Sequence, residues 1–422
     1  MTATQASVVL AGWYGATNLG DEWLLSTFVD WVREAQATPT VVSVHPAYTS
    51  AAYGVQTASY VDLASVVEAL SQADLLVLGG GGLFQEYDVF DRPSLAHFPA
   101  GNVSQFAQFH YLARELGLAT AVLGQGVGPL HGADACDITR QVFEQADLAS
   151  VRDGASAQLL RRIGVDRLVP IAPDPAWTIA PRAPVRDLPQ RYPALAGHRV
   201  MAMIVRDWPF HATWEDAFAQ TFDRALPPGW ACLWLDFTRT PSADPQRVDG
   251  SEIAYRLVPR LSTGRPHAVW QGMALDEAMA LVAACDALVT MRLHGALLGH
   301  VSGLPVVTLE YDDKVHALGD AVGVPALQRM PLDAIGDRLP PALRRVCGLD
   351  DEPPFRMPAA RREQFARNAL AHRALLIEAI QAARKLARPQ ATQPWLRRWS
   401  ASQDGNARAR IDEAVARRAV RC

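Results

Sequence analysis

The chain has 422 residues, 49% of them hydrophobic, with 29 Gly, 29 Pro and a formal net charge of −4. At roughly 150 residues per domain this length suggests two or three domains, and the composition excludes a wholly disordered, collagen-like or low-complexity chain. The five Cys, at 136, 232, 285, 347 and 422, show no C-x-x-C spacing, which argues against a disulfide framework or a zinc ribbon and fits a reducing cytoplasm.

The first basic residue is Arg33, so no charged segment precedes the short apolar stretch at 8–11, and a secretory leader is not expected. No apolar run approaches the ~20 residues of a membrane span. The expectation is a cytoplasmic chain, soluble or at most peripheral. Charge is uneven: residues 356–422 hold 15 Arg or Lys against 5 Asp or Glu, and Lys314 and Lys385 are the only lysines of the chain.

In the first 180 residues, short apolar runs end at glycine-rich or polar turns that open amphipathic stretches. Val8–Ala11 leads into Gly12-Trp13-Tyr14-Gly15 and then a helix with Leu24, Leu25, Phe28, Val29 and Val32 on one side. Asp74–Leu78 leads into four glycines at 79–82, Thr120–Leu123 into GQGVGP at 124–129, and Leu148–Val151 into Arg152-Asp153. Residues 181–198 hold four prolines and no periodicity, and read as a linker. A second alternating set follows: strands at 200–205, 230–237, 286–290 and 305–310, with helices near 212–225, 274–284 and 294–302. Residues 325–358 are proline-spotted, and 360–388 read as a helix. The expected organisation is an α/β domain at 1–180, the linker 181–198, an α/β domain at 199–325, and a proline-spotted segment with a basic helical tail at 326–422. Two Rossmann-like domains facing each other across a cleft is the expected fold class.

In open α/β sheets, ligands bind beyond the carboxyl ends of the strands. The loop running to Asn18-Leu19-Gly20-Asp21-Glu22 matches neither a Walker loop nor G-x-G-x-x-G. Asp21 and Glu22 in the first helical turn would repel a phosphate, so the loop suits sugar hydroxyls or proton transfer, or is simply a tight turn with a cap. The run containing Gly80, Gly81 and Gly82 leaves backbone N–H groups open to an anion; a turn needing positive φ is the plain alternative. Gln125 can bond a hydroxyl or merely pack. Arg152-Asp153 and Arg206-Asp207 each follow a strand, and each reads equally as a structural ion pair. Met291-Arg292-Leu293-His294-Gly295 carries the sharpest signal. Arg292 and His294 stand two apart at a strand end that opens a helix, where both can face one ligand, and the helix terminus and guanidinium favour a neutral imidazole.

No metal is expected. The sequence has no H-E-x-x-H, no His pair at metal spacing and no D-x-D between strand and helix, and Asp313 can cap a helix. There is no G-x-S-x-G elbow and no nucleic-acid signature.

Taken in order, NLGDE, the strand and its glycines, G-Q-G-x-G-P, S-V-R-D, P-D-P-A, M-R-L-H, G-x-P and Y-D-x-K-V resemble the polysaccharide pyruvyl transferase family over roughly residues 8–325. The resemblance implies a glycosyltransferase B-like fold and metal-independent transfer of a pyruvyl group from phosphoenolpyruvate to two hydroxyls of a cell-surface glycan unit, in exopolysaccharide biosynthesis, with no cofactor. It places Arg292, Leu293 and His294 in an Arg-x-His donor site, adds Arg152 to it, and makes Asp21 the N-x-G-D acid; Arg206 is a further donor candidate. His294 then serves proton transfer or phosphate contact. Asn18, Glu22 and Gln125 are left to the acceptor.

The implied partners are phosphoenolpyruvate and a glycan or lipid-linked saccharide. Pro394-Trp395-Leu396-Arg397-Arg398-Trp399 combines aromatics with cations, so contact with the inner face of the membrane is a second expectation, set against a solvated Arg-rich helix. A nucleotide-sugar glycosyltransferase is the alternative activity, with Glu310 as its ribose carboxylate. A non-catalytic partner in glycan assembly is the third reading.

Overall fold

The computed structural model describes residues 5–87, 90, 92–99, 102–208, 213–238, 240–241, 248–249, 252–261, 264–270, 272, 274–383 and 393–421. The chain divides into two compact units. The first comprises Met1–Ala16, Asp21–Thr178 and Ala366–Cys422; the second comprises Thr17–Gly20 and Ile179–Phe365.

The first unit holds β1 (Ala6–Ala11), β2 (Ala37–Ser43), β3 (Gln56–Ser59), β4 (Leu75–Phe84), β5 (Ala119–Val127) and β6 (Leu148–Val151), in the order β3-β2-β1-β4-β5-β6. All neighbours are parallel. Parallel strands are covered by helices on both faces, so their sequences are continuous apolar runs. Alternate residues divide between two cores, as a two-residue period demands. Val9, Ala11, Leu76 and Leu78 join one, and Val8, Leu10, Leu75 and Val77 the other.

The carboxyl-terminal segment feeds both cores. Leu376, Ala379, Ile380 and Ala383, from the helix Ala359–Ala383, enter the second. Leu396, Trp399, Ile411 and Ala414, from the helices Pro394–Ala401 and Gly405–Arg421, enter the first. Trp399 is fully buried and its indole N–H donates to the Leu95 carbonyl at 2.9 Å. Trp395 stacks on Tyr111, while Arg410 pairs with Glu68 and Asp62. The tail aromatics expected to meet a membrane are thus packed on the first unit, and Arg397 and Arg398 stay exposed. The end of the helix expected over 360–388 lies outside the described residues.

The second unit repeats the plan. Its strands are β7 (Arg199–Ile204), β8 (Trp230–Leu235), a small antiparallel pair β9 (Thr240–Pro241) and β10 (Val248–Asp249), β11 (His267–Trp270), β12 (Ala287–Thr290), β13 (Val306–Glu310) and β14 (Arg329–Pro331). The main sheet runs β11-β8-β7-β12-β13-β14, again parallel. Residues 181–198, read as a linker, form short helical turns inside this unit. Leu188 and Leu195 are buried, and the Val185 N–H donates to the Ala280 carbonyl. The prolines there start turns rather than loosen the chain.

Four glycines read as an open turn are instead part of β4, which stays paired with β5 through Phe84 across an irregular register. The reason is close approach. A Cβ on Gly79 would stand 2.9 Å from the Tyr14 hydroxyl, one on Gly80 2.9 Å from Leu24, and one on Gly81 2.9 Å from an Asp21 carboxylate oxygen. Gly80 and Gly81 also take positive φ, where a side chain is strained.

Among the described residues no helix is long and apolar enough to cross a membrane.

Candidate functional site

Each sheet reverses its strand order once, between β1 and β4 in the first unit and between β7 and β12 in the second. A doubly wound sheet opens a crevice at such a switch point, at the carboxyl ends of its strands. Asp21, Gly80–Gly82, Arg206, Arg292 and His294 lie on the elements at these two places, while Gln125 and Arg152 lie further along the first sheet, in β5 and after the edge strand β6.

In the second unit, the end of β12 is tied to that of β7. The Thr290 hydroxyl donates to the Ile204 carbonyl at 2.9 Å and accepts from the Arg292 N–H at 3.0 Å. Gly295 makes room for it, because a Cβ there would come within 2.4 Å of the Thr290 oxygen. Arg292 is the N-cap of the helix Leu293–Val301, with extended backbone and no side-chain cap bond. Its guanidinium donates to Asn18 Oδ1 at 3.5 Å and to the Thr238 hydroxyl. Residues 17–20, counted with this unit, bridge antiparallel at Asn18 to Thr238, and the Leu19 N–H donates to the Phe237 carbonyl at 2.8 Å. Gly20 is what lets His294 stand here, since a Cβ on it would lie 2.2 Å from His294 Nδ1. Leu293 is buried and anchors the turn.

Arg206, after β7, donates to the Tyr311 hydroxyl at 3.2 Å, with its guanidinium 5.1 Å from the Trp208 ring and 5.2 Å from that of Tyr311. Lys314 Nζ sits 5.7 Å from the same Tyr311 ring. Burial pushes the Tyr311 phenol up, yet Lys314 and Arg206, helped by Arg292 and opposed by Asp312, hold it below its ordinary value. Three cations from the ends of β7, β12 and β13 thus act on one phenol. A field of this sign attracts anions.

Glu310, the ribose candidate of the alternative reading, is engaged elsewhere. Arg329 donates to one of its oxygens at 2.6 Å, and His316 Nδ1 lies 2.9 Å from the other.

The first unit's site is built on the buried Arg152. Its N–H donates to the Gln125 carbonyl, and Nη1 donates to Asp174 Oδ2 at 2.9 Å. The guanidinium lies over Gly126, where a Cβ would come within 2.5 Å of Nη2. Burial alone would weaken this cation's hold on its proton; Asp174, Asp153 and Asp21 outweigh it and raise its pKa. Asp153 is separately the N-cap of the helix Gly154–Arg162, accepting from the Ser156 N–H at 2.7 Å. Asp21 therefore falls within the electrostatic reach of Arg152.

The residues read as acceptor-binding make contacts inside the fold. Asn18 meets Arg292. Buried Glu22 accepts from the Gly15 N–H at 2.8 Å and from the Tyr53 hydroxyl at 2.9 Å. Buried Gln125 donates to the carbonyls of Leu78 and Gly80 at 3.2 and 3.4 Å. A carboxylate or amide with no access to water must find such partners. Asp174, Tyr311 and Lys314 escaped selection as site residues, although each stands in a motif read above. The scarcity of lysine in the chain, which holds only Lys314 and Lys385, was the available signal for Lys314. Among the described residues no group of three or more His, Cys, Asp or Glu is placed to hold a metal ion.

A family model for polysaccharide pyruvyl transferase matches residues 18–313. Among solved structures, the chain is similar to Anabaena HepE in complex with UDP and glucose, at 14% identity and a TM-score of 0.55, covering 91% of this chain and 98% of that one. It is also similar to a putative UDP-N-acetylglucosamine 2-epimerase from Listeria monocytogenes, at 9% identity and a TM-score of 0.55 over 92% and 99% of the two chains. A glycosyltransferase from Rickettsia africae matches at 9% identity with a TM-score of 0.54, over 91% and 100%. At these identities the likeness shows the fold, which is glycosyltransferase B-like.

Proposed function

Because the chain belongs to the polysaccharide pyruvyl transferase family, we propose that it moves the pyruvyl group of phosphoenolpyruvate onto two hydroxyls of a cell-surface glycan unit. A cyclic ketal forms and phosphate is released. The observation that carries this reading is the convergence of Arg206, Arg292 and Lys314 on Tyr311 at the second unit's switch point. The donor brings a carboxylate and a phosphate of about −1.5 to −2 charges. Guanidinium forks match both groups with directed, charge-assisted hydrogen bonds, while an ammonium supplies a compact point charge.

The chemistry balances without a further reactant. A proton adds to the donor's terminal methylene carbon, and the central carbon becomes an oxocarbenium ion. One glycan hydroxyl attacks that carbon and loses its proton; the carbon–oxygen bond to phosphate breaks; the second hydroxyl closes the ring and loses its proton. One of the two released protons replaces the one taken by carbon, and the other leaves on phosphate. His294, held against Gly20, is the proposed proton carrier or phosphate contact. Asp21, within electrostatic reach of Arg152, is the proposed base for the hydroxyls. Arg152 is also the first unit's proposed contribution to anion binding.

A lipid-linked saccharide as acceptor would place the reaction in the cytoplasm at the membrane's inner face. Exposed Arg397 and Arg398 are the proposed contacts with an anionic leaflet. The engagement of Glu310 by Arg329 and His316 weighs against a nucleotide-sugar donor. The test is incubation with phosphoenolpyruvate or nucleotide-sugars and a panel of lipid-linked and free glycans. Acceptor-dependent phosphate together with a new ketal methyl resonance is the expected result; nucleoside diphosphate instead, or no product from either donor, would overturn the reading.

A further inference from the structure

His372 lies on the helix Ala359–Ala383, in the part belonging to the first unit, and is fully buried. Its Nε2 stands 3.1 Å from the carbonyl oxygens of both Ala172 and Pro173. Carbonyls only accept, so Nε2 carries the proton and donates. Nδ1 is then an acceptor, and the Ser150 hydroxyl, 2.8 Å away, donates to it. The same hydroxyl oxygen accepts from the Gly124 N–H at 3.1 Å. Every polar atom in this chain of contacts has a defined role.

The three tied segments are those that build the surroundings of Arg152. Gly124 belongs to the end of β5, whose Gly126 lies under the guanidinium. Ser150 stands two residues before Arg152 on the same strand end. Ala172 and Pro173 lead directly into Asp174, whose carboxylate takes Nη1 of Arg152 at 2.9 Å and the Ala176 N–H at 3.0 Å. We infer that His372 is a positioning residue: its Nε2–H fixes the Ala172–Asp174 turn and thereby holds the Arg152 guanidinium in its binding orientation.

The inference rests on the reading of Arg152 as a donor ligand. Burial pushes the imidazole below its ordinary pKa, which keeps the acceptor at Nδ1 available. The geometry also accounts for why the chain returns to the first unit with a histidine at this position. An apolar side chain would fill the space but leave two carbonyls and a hydroxyl unmet in the interior. A mobile guanidinium binds an anion more weakly because ordering it on binding costs entropy.

The experiment uses the full chain and three substitutions. H372Q keeps an N–H near the Nε2 position, H372N keeps one near Nδ1, and H372L keeps neither. Two readouts are followed beside thermal melting: the KM for phosphoenolpyruvate against kcat, and the Arg152 Nε–H resonance in a ¹H–¹⁵N spectrum, assigned by its loss in Arg152→Lys. H372N and H372L are expected to raise KM at least 10-fold, with kcat within 3-fold, and to shift or broaden the resonance; H372Q is expected to keep both near wild type. An unchanged resonance in H372L overturns the inference. So does a loss in all three variants that merely tracks their melting temperatures, and so does a resonance that follows His372 while KM does not. If wild type releases no phosphate from phosphoenolpyruvate yet the resonance still follows His372, the donor reading fails and the positioning of Arg152 stands.

Discussion

Two sheets of the same strand number and the same winding end in opposite electrostatics. In the first unit the helix beginning Leu19-Gly20-Asp21-Glu22 brings acids to the switch point, and the one cation argued for in this unit, Arg152 after the edge strand β6, is compensated by Asp174, Asp153 and Asp21. At the second unit's switch point, Arg206, Arg292 and Lys314 act on Tyr311 against Asp312, which also pairs with Lys314 at 3.8 Å. The backbone plan supplies a crevice in both cases. Which sign of ligand it suits is written by a handful of side chains just past the strands, so fold alone assigns neither half a role.

The sharpest way to break this contrast is Arg292→Ala. Removing one hydrogen-bonded cation from an anion site costs about 4 kcal/mol, or about 10³-fold in kcat/KM for phosphoenolpyruvate, with circular dichroism unchanged. A variant within about 3-fold of wild type in steady-state phosphate release would show that the cationic cluster is not where the donor is held.

Trp399→Ala probes the first unit through its core rather than its charge. The loss of a fully buried indole and its bond to Leu95 should destabilise that unit by about 3–5 kcal/mol. Calorimetry should show its transition moving down while the second unit's stays; equal movement of both would deny the units their separate cores.

Much of this contrast was legible in the sequence. The apolar runs located the starts of eight strands to within two residues, because parallel strands buried on both faces leave an unbroken apolar signal. But β4 and β5 run six and four residues past their expected ends, where glycines break that signal, and β2, β3, β11 and β14 were not read as strands. The Arg292-Leu293-His294 turn was legible because charged residues there interrupt strand and helix patterns. What escaped was tertiary in origin. Gly79–Gly82 looked like a turn, since nothing local reveals that Tyr14, Leu24 and Asp21 occupy the space where side chains would be. The buried roles of Glu22 and Gln125 depend on partners at Gly15, Tyr53 and Leu78. His372 meets Ser150 across a separation of 222 residues, which no periodicity records.

Gly20→Ala refines the comparison at one contact. The added methyl would come within 2.2 Å of His294 Nδ1, so the imidazole must move, and activity should fall about 10²-fold, in the range of a displaced proton carrier. A G20A protein matching wild type in kcat would separate His294 from proton transfer.

The smallest effect is in pH dependence. A phenol held below its unfolded value near 10 releases its proton more readily in the folded chain. Its stabilising contribution is complete above pH ~10 and disappears as pH falls through the folded value. For Tyr311 this predicts that wild type gains on Tyr311→Phe as urea melts are repeated toward pH 10. A difference that shrinks with rising pH would contradict the cationic surroundings.

Neither unit is a continuous stretch of chain: the first is interrupted at 17–20 and again at 179–365, and the second borrows four residues from near the amino terminus. A gene divided after codon 178 would therefore yield one polypeptide lacking Leu376, Ile380 and Trp399 and another lacking the Asn18 strand segment beside Thr238. Dissecting this protein calls for co-expressed, complementing fragments or a permuted reading frame, and any deletion series from the carboxyl end begins by removing the interior of the amino-terminal half.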